Sequence, residues 1–174
     1  MNNSRSLSST HKGWNSQEHL KLFDTWNEMN RFEFLFQYGN FQEQKYLKRK
    51  LTEYENPSIL DFGCATGTTN RYLNLIAKKR QYSYKGVDLS IPAIEKAKQL
   101  YKNIDFEVID EKLDFLEKNQ YDVVFSRDTV LHQTNPYDFL QSLINATRKS
   151  LILRLRTRDI GSTNLDINQS CQMH

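Results

Sequence analysis

The sequence lacks any apolar run long enough to cross a lipid bilayer. Its first residues, Met1 to Lys12, are small and polar and lack the apolar core of a secretory signal. It also lacks internal repeats and low-complexity tracts. These absences lead us to expect a cytoplasmic protein with no membrane partner.

Cysteine is scarce as well. The chain of 174 residues has two, Cys64 and Cys171, and they lie far apart. Two distant cysteines provide neither a disulfide framework nor the spacing of a metal site. We therefore expect two reduced thiols and no bound metal.

The excess of positive charge is small, with a formal net charge of +3. The basic clusters at 48–50 and 78–80 fall where exposed helix faces are predicted, so they indicate solvated surface. A nucleic-acid-binding face is expected to carry a larger excess interleaved with aromatic residues. The composition therefore gives a nucleic-acid partner no support.

The first third of the chain is predicted to be helical. Asn15 can cap a helix in which Leu20, Phe23 and Trp26 recur on one face, and two further aromatic-rich segments follow. Aromatic residues at helical spacing indicate packing in a core or lid rather than a base-stacking platform. We expect a disordered start (1–12) and then one domain (13–174), made of a helical cap (13–56), a core (57–156) and a tail (157–174).

From Ser58 onward, strand patterns alternate with helical patterns, which indicates a parallel sheet with crossover helices. The fourth strand is almost wholly apolar, as expected of a strand buried on both faces. The strands are predicted at 59–62, 82–88, 105–109, 121–125 and 150–155.

Polar residues follow four of the five predicted strands, at the edge where an open parallel sheet binds its ligands. The first strand ends in Asp61 and a turn punctuated by Gly63 and Gly67, which can adopt backbone angles closed to other residues. The next three strand ends carry Asp88, Asp110 and the run 126–128. Each aspartate alone is an ordinary cap or turn residue, but their coincidence along one edge favours a nucleotide-type ligand.

Four stretches carry a family resemblance: 59–67, 86–90, 106–110 and 121–126. In this order and spacing they resemble the motifs of the class I S-adenosylmethionine-dependent methyltransferases, over roughly residues 57 to 156. The resemblance implies an α/β fold, a Rossmann-like three-layer αβα sandwich with five mostly parallel strands in the order 3-2-1-4-5. It also implies S-adenosyl-L-methionine as the cofactor and S-adenosyl-L-homocysteine as its product.

The resemblance further implies which residues bind the cofactor. Asp61 and the glycine turn would hold the methionine part, and Asp88 the ribose hydroxyls. Asp110 with Ile109 would hold the adenine, while Ser126 and Arg127 would close the opposite wall. The full predicted set is Asp61, Gly63, Cys64, Ala65, Thr66, Gly67, Asp88, Leu89, Ile109, Asp110, Ser126 and Arg127.

Two departures from the family pattern stand out. Ala65 occupies the middle of the first motif, where glycine is common, and its small side chain is expected to be tolerated. Only 19 residues follow Leu155, too few for the helix and antiparallel strands that usually complete the sheet. We therefore expect a fragment, a natural short form or a homodimer joined through the exposed edge of the fifth strand.

Methyl transfer needs an aligned acceptor and, for a poor nucleophile, a base. Asp128 and His132 follow the fourth strand and are the candidate catalytic residues, although a turn aspartate and a surface histidine are equally ordinary. Arg154 and Arg156 alternate with leucines at the end of the fifth strand. They are candidates for recognising an anionic group of the acceptor, with solvated edge charge as the alternative.

The sequence thus predicts a methyltransferase acting on an unidentified, small-molecule acceptor by in-line transfer. A second hypothesis is a methyltransferase-like protein that binds the cofactor or a partner without catalysis. A nicotinamide-dependent dehydrogenase is disfavoured, because Gly63 and Gly67 are spaced as Gly-x-x-x-Gly rather than as G-x-G-x-x-G.

Overall fold

The computed structural model of the protein describes residues 12–110 and 112–155. Six α-helices are described: α1 (Gln17–Glu28), α2 (Arg31–Gln37), α3 (Gln42–Glu53), α4 (Thr68–Ile76), α5 (Ile91–Leu100) and α6 (Pro136–Ala146). The strands are β1 (Ser58–Phe62), β2 (Ser83–Asp88), β3 (Asp105–Val108), β4 (Tyr121–Arg127) and β5 (Thr147–Arg154). Within these ranges, no helix is both long enough and apolar enough to cross a membrane.

Capping side chains explain where the helices begin. The Ser16 side chain accepts a backbone N–H at the start of α1. Ser90 caps α5, where Pro92 takes a first-turn position that needs no N–H. The expectation that Asn15 caps the first helix is wrong, because its side chain instead accepts the backbone N–H of Ile91 at 2.9 Å.

The five described strands form one parallel sheet in the order β3-β2-β1-β4-β5. Phe62 at the end of β1 pairs with Val87 of β2 on one side and with Ser126 of β4 on the other. Arg127 pairs with Arg154 at the end of β5. The predicted strand order is confirmed, and the register brings the carboxyl ends of the strands to one edge.

Helices cover both faces of the sheet. One apolar cluster joins it to α3, α4 and α5, and includes Leu47, Leu51, Leu73, Ile94 and Ala97. The other joins it to α6 and to the segment after β3, and includes Phe139 and Leu143. The predicted three-layer α/β sandwich is therefore confirmed.

The strand β4 runs through the middle of this core. Its first six residues are buried, which matches its apolar sequence. Asp122 is the charged exception, and its carboxylate accepts the backbone N–H of Ser58 at 3.0 Å and lies 3.1 Å from Lys149 Nζ. A buried carboxylate is tolerated here because it is paired.

The strand β5 begins earlier than predicted, at Thr147, and has one neighbour, β4, among the described strands. A parallel strand at a sheet edge leaves backbone groups unpaired on its outer side. Pairing of this edge with a second copy of the chain stays a prediction.

The N-terminal helices dock on the side of α4 and α5. The Arg71 guanidinium of α4 donates to the backbone carbonyls of Trp26 and, at 2.6 Å, Met29. Lys96 of α5 forms an ion pair of 2.8 Å with Asp24. Both contacts hold α1 against the helices that follow the first two strands, next to the sheet edge where the strands end.

Candidate functional site

The turn between β1 and α4 is fastened to the end of β2. The backbone N–H groups of Gly63 and Cys64 donate to the Val87 carbonyl at 2.8 and 3.1 Å, and Gly67 closes the turn by donating to Cys64. Gly63 and Gly67 have φ of 80° and 81°, which favours glycine. These hydrogen bonds fix the turn in place at the edge of the sheet where the strands end.

These two glycines make room for side chains of the protein itself. A Cβ on Gly63 would lie 2.2 Å from Thr129 Cγ2, in the segment after β4. A Cβ on Gly67 would meet Phe106 and Tyr101 within about 3 Å. A larger residue at either position would be strained and would also displace a neighbour.

Ala65, the departure from the family pattern, has a left-handed backbone with φ of 46°. This conformation costs an alanine about 1 kcal/mol relative to glycine. Its N–H donates to Asp88 Oδ2 at 2.8 Å, which fixes the middle of the turn to the end of β2. The small side chain is accommodated, and the hydrogen bond offsets part of the strain.

Asp88 connects the turn with the start of α5. Its second oxygen, Oδ1, accepts the backbone N–H of Ser90 at 2.9 Å. Burial raises the pKa of Asp88, and the N–H groups of Ser90 and Ala65 oppose that shift. A carboxylate oxygen can accept more than one hydrogen bond, so both oxygens of Asp88 can also accept a ligand hydroxyl.

The end of β3 lies beside the end of β2. Ile109 is buried and its N–H donates to the Asp88 carbonyl at 3.0 Å. Asp110 is exposed, and its Oδ1 accepts the backbone N–H of Lys112 at 3.0 Å. Ile109, Asp110 and half-buried Leu89 therefore lie next to Asp88, as the sequence predicts.

Asp61 lies deeper than the rest of the predicted set. It is 2% exposed, and the Tyr84 hydroxyl donates to its Oδ2 at 2.5 Å. Burial raises the pKa of Asp61 to about 7, against the hydrogen bonds from Tyr84 and Thr69. Because its partners are Tyr84 of β2 and Thr69 of α4, Asp61 supports the turn from beneath.

Cys64 is also internal. Its side chain is 4% exposed, and burial raises the pKa of the thiol well above its ordinary value. A buried neutral thiol packs as a small apolar group and is a poor nucleophile. Cys64 contributes its backbone to the turn and its sulfur to the core.

The N-terminal segment reaches the turn at Thr66, which is fully buried. The Asn27 amide of α1 donates to Thr66 Oγ1 at 2.9 Å and accepts from the Tyr101 hydroxyl at 2.9 Å. The Thr66 hydroxyl in turn donates to the Phe23 carbonyl at 3.1 Å. One face of the predicted loop is therefore covered by α1, which no motif in the sequence indicates.

Four charged residues meet at the ends of β4 and β5, and we call them the charge ring: Glu43, Arg127, Asp128 and Arg154. Glu43 Oε1 lies 3.3 Å from Arg127 Nε and 3.4 Å from Arg154 Nη1. The Asp128 carboxylate lies 3.7 Å from Arg154 Nε and 4.0 Å from Arg127 Nε. Each arginine therefore contacts both acids, and the four charges alternate in sign.

The charge ring includes two of the residues predicted to act on the acceptor. Asp128 has a left-handed backbone, with φ of 58°, and its N–H donates to the Arg154 carbonyl at 3.0 Å. Arg154 is engaged with two acids. Arg156, the other predicted anion-binding residue, lies outside the described residues.

The segment after β4 also meets the N-terminal segment. The Ser126 hydroxyl is hydrogen-bonded to that of Thr129. The ring of His132 lies 4.8 Å from that of Trp14 in an edge-on contact. The Trp14 carbonyl accepts the Ser90 hydroxyl at 2.8 Å, so this short segment extends from the end of β2 to the segment after β4.

Two cavities lie at the opposite edge of the sheet, where the strands begin. Their volumes are about 440 and 280 Å³, and both are lined by Arg80 and Gln81. The larger is also lined by Tyr82 and Ile104, which precede β2 and β3. These cavities are separate from the strand ends that carry the predicted site.

Comparison with known proteins settles the family. A family model described as "Methyltransferase domain" matches residues 59–150, more than half of the chain. The chain belongs to this methyltransferase family. S-adenosylmethionine is its cofactor, in agreement with the resemblance of the four motifs.

Curated relatives match part of the chain. "Phosphoethanolamine N-methyltransferase 1" of Arabidopsis thaliana is 33% identical over 98 residues, which are 54% of this chain and 19% of the relative. "Carboxy-S-adenosyl-L-methionine synthase" of Desulfotalea psychrophila is 38% identical over 74 residues, or 40% and 28% of the two chains. The matched stretch thus spans less than a third of either relative.

Solved structures share the fold. A DszA carbon methyltransferase aligns with a TM-score of 0.60 at 20% identity, over 87% of this chain and 43% of that one. A methyltransferase from Aquifex aeolicus aligns with a TM-score of 0.57 at 20% identity, over 82% and 77%. The Rossmann-like methyltransferase fold is therefore confirmed.

The strand ends of this methyltransferase domain fit the cofactor. Asp88 presents a carboxylate with acceptor capacity left on both oxygens, as ribose hydroxyls require. Ile109 and Leu89 place apolar surface beside it, suited to an adenine ring. The N-terminal turn of α4 adds the partial positive charge that suits a carboxylate group.

Proposed function

We propose that this methyltransferase domain binds S-adenosylmethionine across the ends of β1 to β4 and transfers its methyl group to a small-molecule acceptor. The observation that carries the proposal is the position of Asp88. Its two hydrogen bonds to backbone N–H groups join the glycine turn to the start of α5. That junction lies at the carboxyl ends of β1 and β2, the edge at which an open parallel sheet binds its ligands.

Each predicted residue then has a part in binding. The turn of Gly63, Cys64, Ala65, Thr66 and Gly67 would lie beside the methionine part and hold it, with Asp61 supporting the turn from beneath. Asp88 and Leu89 would hold the ribose, Ile109 and Asp110 the adenine, and Ser126 and Arg127 the opposite wall. The cofactor supplies a methyl group on a positively charged sulfur, ready for in-line displacement.

The protein orients the acceptor and removes its proton. Asp128 is held by two arginines at the end of β4, which fixes the direction of its carboxylate. His132 is packed edge-on against Trp14 of the N-terminal segment, which would shield the methyl end of a bound cofactor from water. We assign proton acceptance to Asp128 or His132.

The acceptor is proposed to be a small molecule. The named plant relatives methylate phosphoethanolamine, an amine that also carries an anionic group. Arg154 already contacts Glu43 and Asp128, so an anionic group of the acceptor would share its guanidinium with these two acids. Arg156 remains a candidate for the same role.

A binding protein without catalysis is the second candidate. Both candidate bases are engaged inside the protein, Asp128 in the charge ring and His132 against Trp14. Such contacts would suit a domain that binds the cofactor or a partner without turning it over.

Methyl transfer separates the two candidates. The full chain is incubated with methyl-labelled S-adenosylmethionine and phosphoethanolamine, and labelled product and S-adenosylhomocysteine are followed by mass spectrometry. We expect both to form in equal amounts, and Asp128→Asn with His132→Asn to reduce the rate about a hundredfold or more. Glu53→Gln, an exposed change on α3, is the control. Cofactor binding without label transfer would contradict the enzyme and favour the binding protein.

A further inference from the structure

The charge ring contains one residue that no motif predicts. Glu43 belongs to α3, outside the family match at 59–150. A single oxygen of its carboxylate contacts Arg127 and Arg154, from two neighbouring strands. Its position suggests a role beyond attaching α3 to the sheet.

The ring is only partly exposed to water. The side chains of Glu43, Arg127, Asp128 and Arg154 are 9, 21, 23 and 31% exposed. In such a setting, charges interact several times more strongly than in bulk water. An unbalanced charge in the charge ring would therefore change the electrostatic potential at neighbouring groups.

Aromatic rings hold the two guanidinium groups in place. The Phe41 ring lies 4.4 Å from the Arg127 guanidinium and 5.2 Å from that of Arg154, and Tyr38 lies 5.3 Å from Arg127. Cation–π contacts of this kind favour the packed positions over solvent. If Glu43 lost its charge, the arginines would remain near the ends of β4 and β5.

The ring as it stands is neutral, with two arginines and two acids. Without Glu43, the corner would carry one net positive charge beside the wall that Ser126 and Arg127 are proposed to form. The sulfur of S-adenosylmethionine is positively charged, whereas that of S-adenosylhomocysteine is neutral. The two ligands therefore report the electrostatic potential at the reacting end of the site.

We infer that Glu43 sets that potential: it neutralises the second arginine of the charge ring, so that the site accepts a positively charged sulfur. The inference rests on the proposed function, because it requires the cofactor to lie at the ends of β1 to β4. Glu43 is thus a positioning and charge-balancing residue and need not touch the cofactor.

The test measures the ratio of two dissociation constants, that of S-adenosylmethionine over that of S-adenosylhomocysteine, by titration calorimetry. Glu43→Gln is expected to raise this ratio roughly three- to tenfold, the effect of one unit charge in a partly buried site. Arg154→Gln is expected to lower it by a similar factor. The double variant restores the charge balance and should return the ratio to within about twofold of the unchanged chain.

The ratio distinguishes electrostatics from damage to the fold. A structural disturbance weakens both ligands alike and leaves the ratio constant, and a double variant would then be worse than either single one. Glu53→Gln removes an exposed charge from the same helix and should leave the ratio unchanged. Should Glu43→Gln fail to fold, the opposite shift in Arg154→Gln still tests the inference.

The outcomes also separate this inference from the proposed function. If the unchanged chain binds both ligands but the ratio is the same in Glu43→Gln and Arg154→Gln, the inference is overturned and the cofactor site stands. If the unchanged chain binds neither ligand, both are overturned.

Discussion

Asp88→Ala is expected to weaken binding of S-adenosylhomocysteine by about a hundredfold or more. The proposed site loses the acceptor of two ribose hydroxyls, and each hydrogen bond to a charged carboxylate contributes about 1.5 kcal/mol or more. The substitution also releases the N–H groups of Ala65 and Ser90, which loosens the glycine turn. Titration calorimetry on the folded variant measures the effect.

Two matched variants serve as controls for the effect of Asp88→Ala. Asp110→Ala removes an exposed carboxylate from the next strand end and is expected to cost less than about tenfold, since its protein partner is a single backbone N–H. Asp88→Asn keeps the shape of the side chain and should still lose most of the affinity. Equal losses for Asp88→Ala and Asp110→Ala would contradict the assignment of the ribose to Asp88.

Asp61→Asn is expected to change how stability depends on pH. Burial, opposed by hydrogen bonds from Tyr84 and Thr69, raises the pKa of the Asp61 carboxyl from 3.8 to about 7. Between these values, the folded state binds more protons than the unfolded state, so its stability falls as pH rises. A pKa raised by about 3 corresponds to about 4 kcal/mol of stability, which is present below about pH 4 and fully lost above pH 7.

The measurement is urea unfolding from pH 4 to 8. The free energy of unfolding of Asp61→Asn, minus that of the unchanged chain, should rise across this range by up to about 4 kcal/mol, whatever its starting offset. A difference that stays constant with pH would show that the Asp61 carboxyl titrates normally.

Asp122→Asn is the matched control with the opposite sign. Burial raises the pKa of Asp122, but the Ser58 and Lys149 contacts outweigh it and lower that pKa to about 2. Its ionised form therefore stabilises the fold above about pH 4, and the stabilisation is lost as pH falls toward 2. Between pH 4 and 8 the difference between Asp122→Asn and the unchanged chain should therefore stay nearly constant, and it should shrink only when the measurement is extended below about pH 4.

The sheet and the polar strand ends could be predicted from the sequence because their signals are local. An apolar run such as that of β4 indicates a strand buried on both faces. The strand order is what the resemblance to the methyltransferase family implies, and the structure has that order. Asp88 and Asp110 are adjacent for the same reason. Parallel strands bring their ends to one edge, whatever the packing above it.

The N-terminal part of the site could not be predicted in this way. Trp14, Asn27 and Glu43 reach the strand ends through contacts with residues 39 to 118 positions away in the chain. No spacing rule links such residues, and aromatic or acidic helix positions are usually core or surface. Their roles follow from the docking of α1 and α3.

Two predicted residues have a different part from the one their motif suggests. Asp61 lies on the face of the sheet with Ile59, in the layer under α4, so alternation along β1 places its carboxyl beneath the turn. Gly63 belongs to the turn that is predicted to hold the methionine part of the cofactor. In the structure it makes room for Thr129.

The most direct test of the cofactor site is a crystal structure of the chain grown with S-adenosylhomocysteine. We predict the ribose hydroxyls within hydrogen-bond distance of the Asp88 carboxylate, with the homocysteine end beside the turn that starts at Gly63. S-adenosylhomocysteine bound instead in the cavities around Arg80 and Gln81, at the opposite edge of the sheet, would contradict the account.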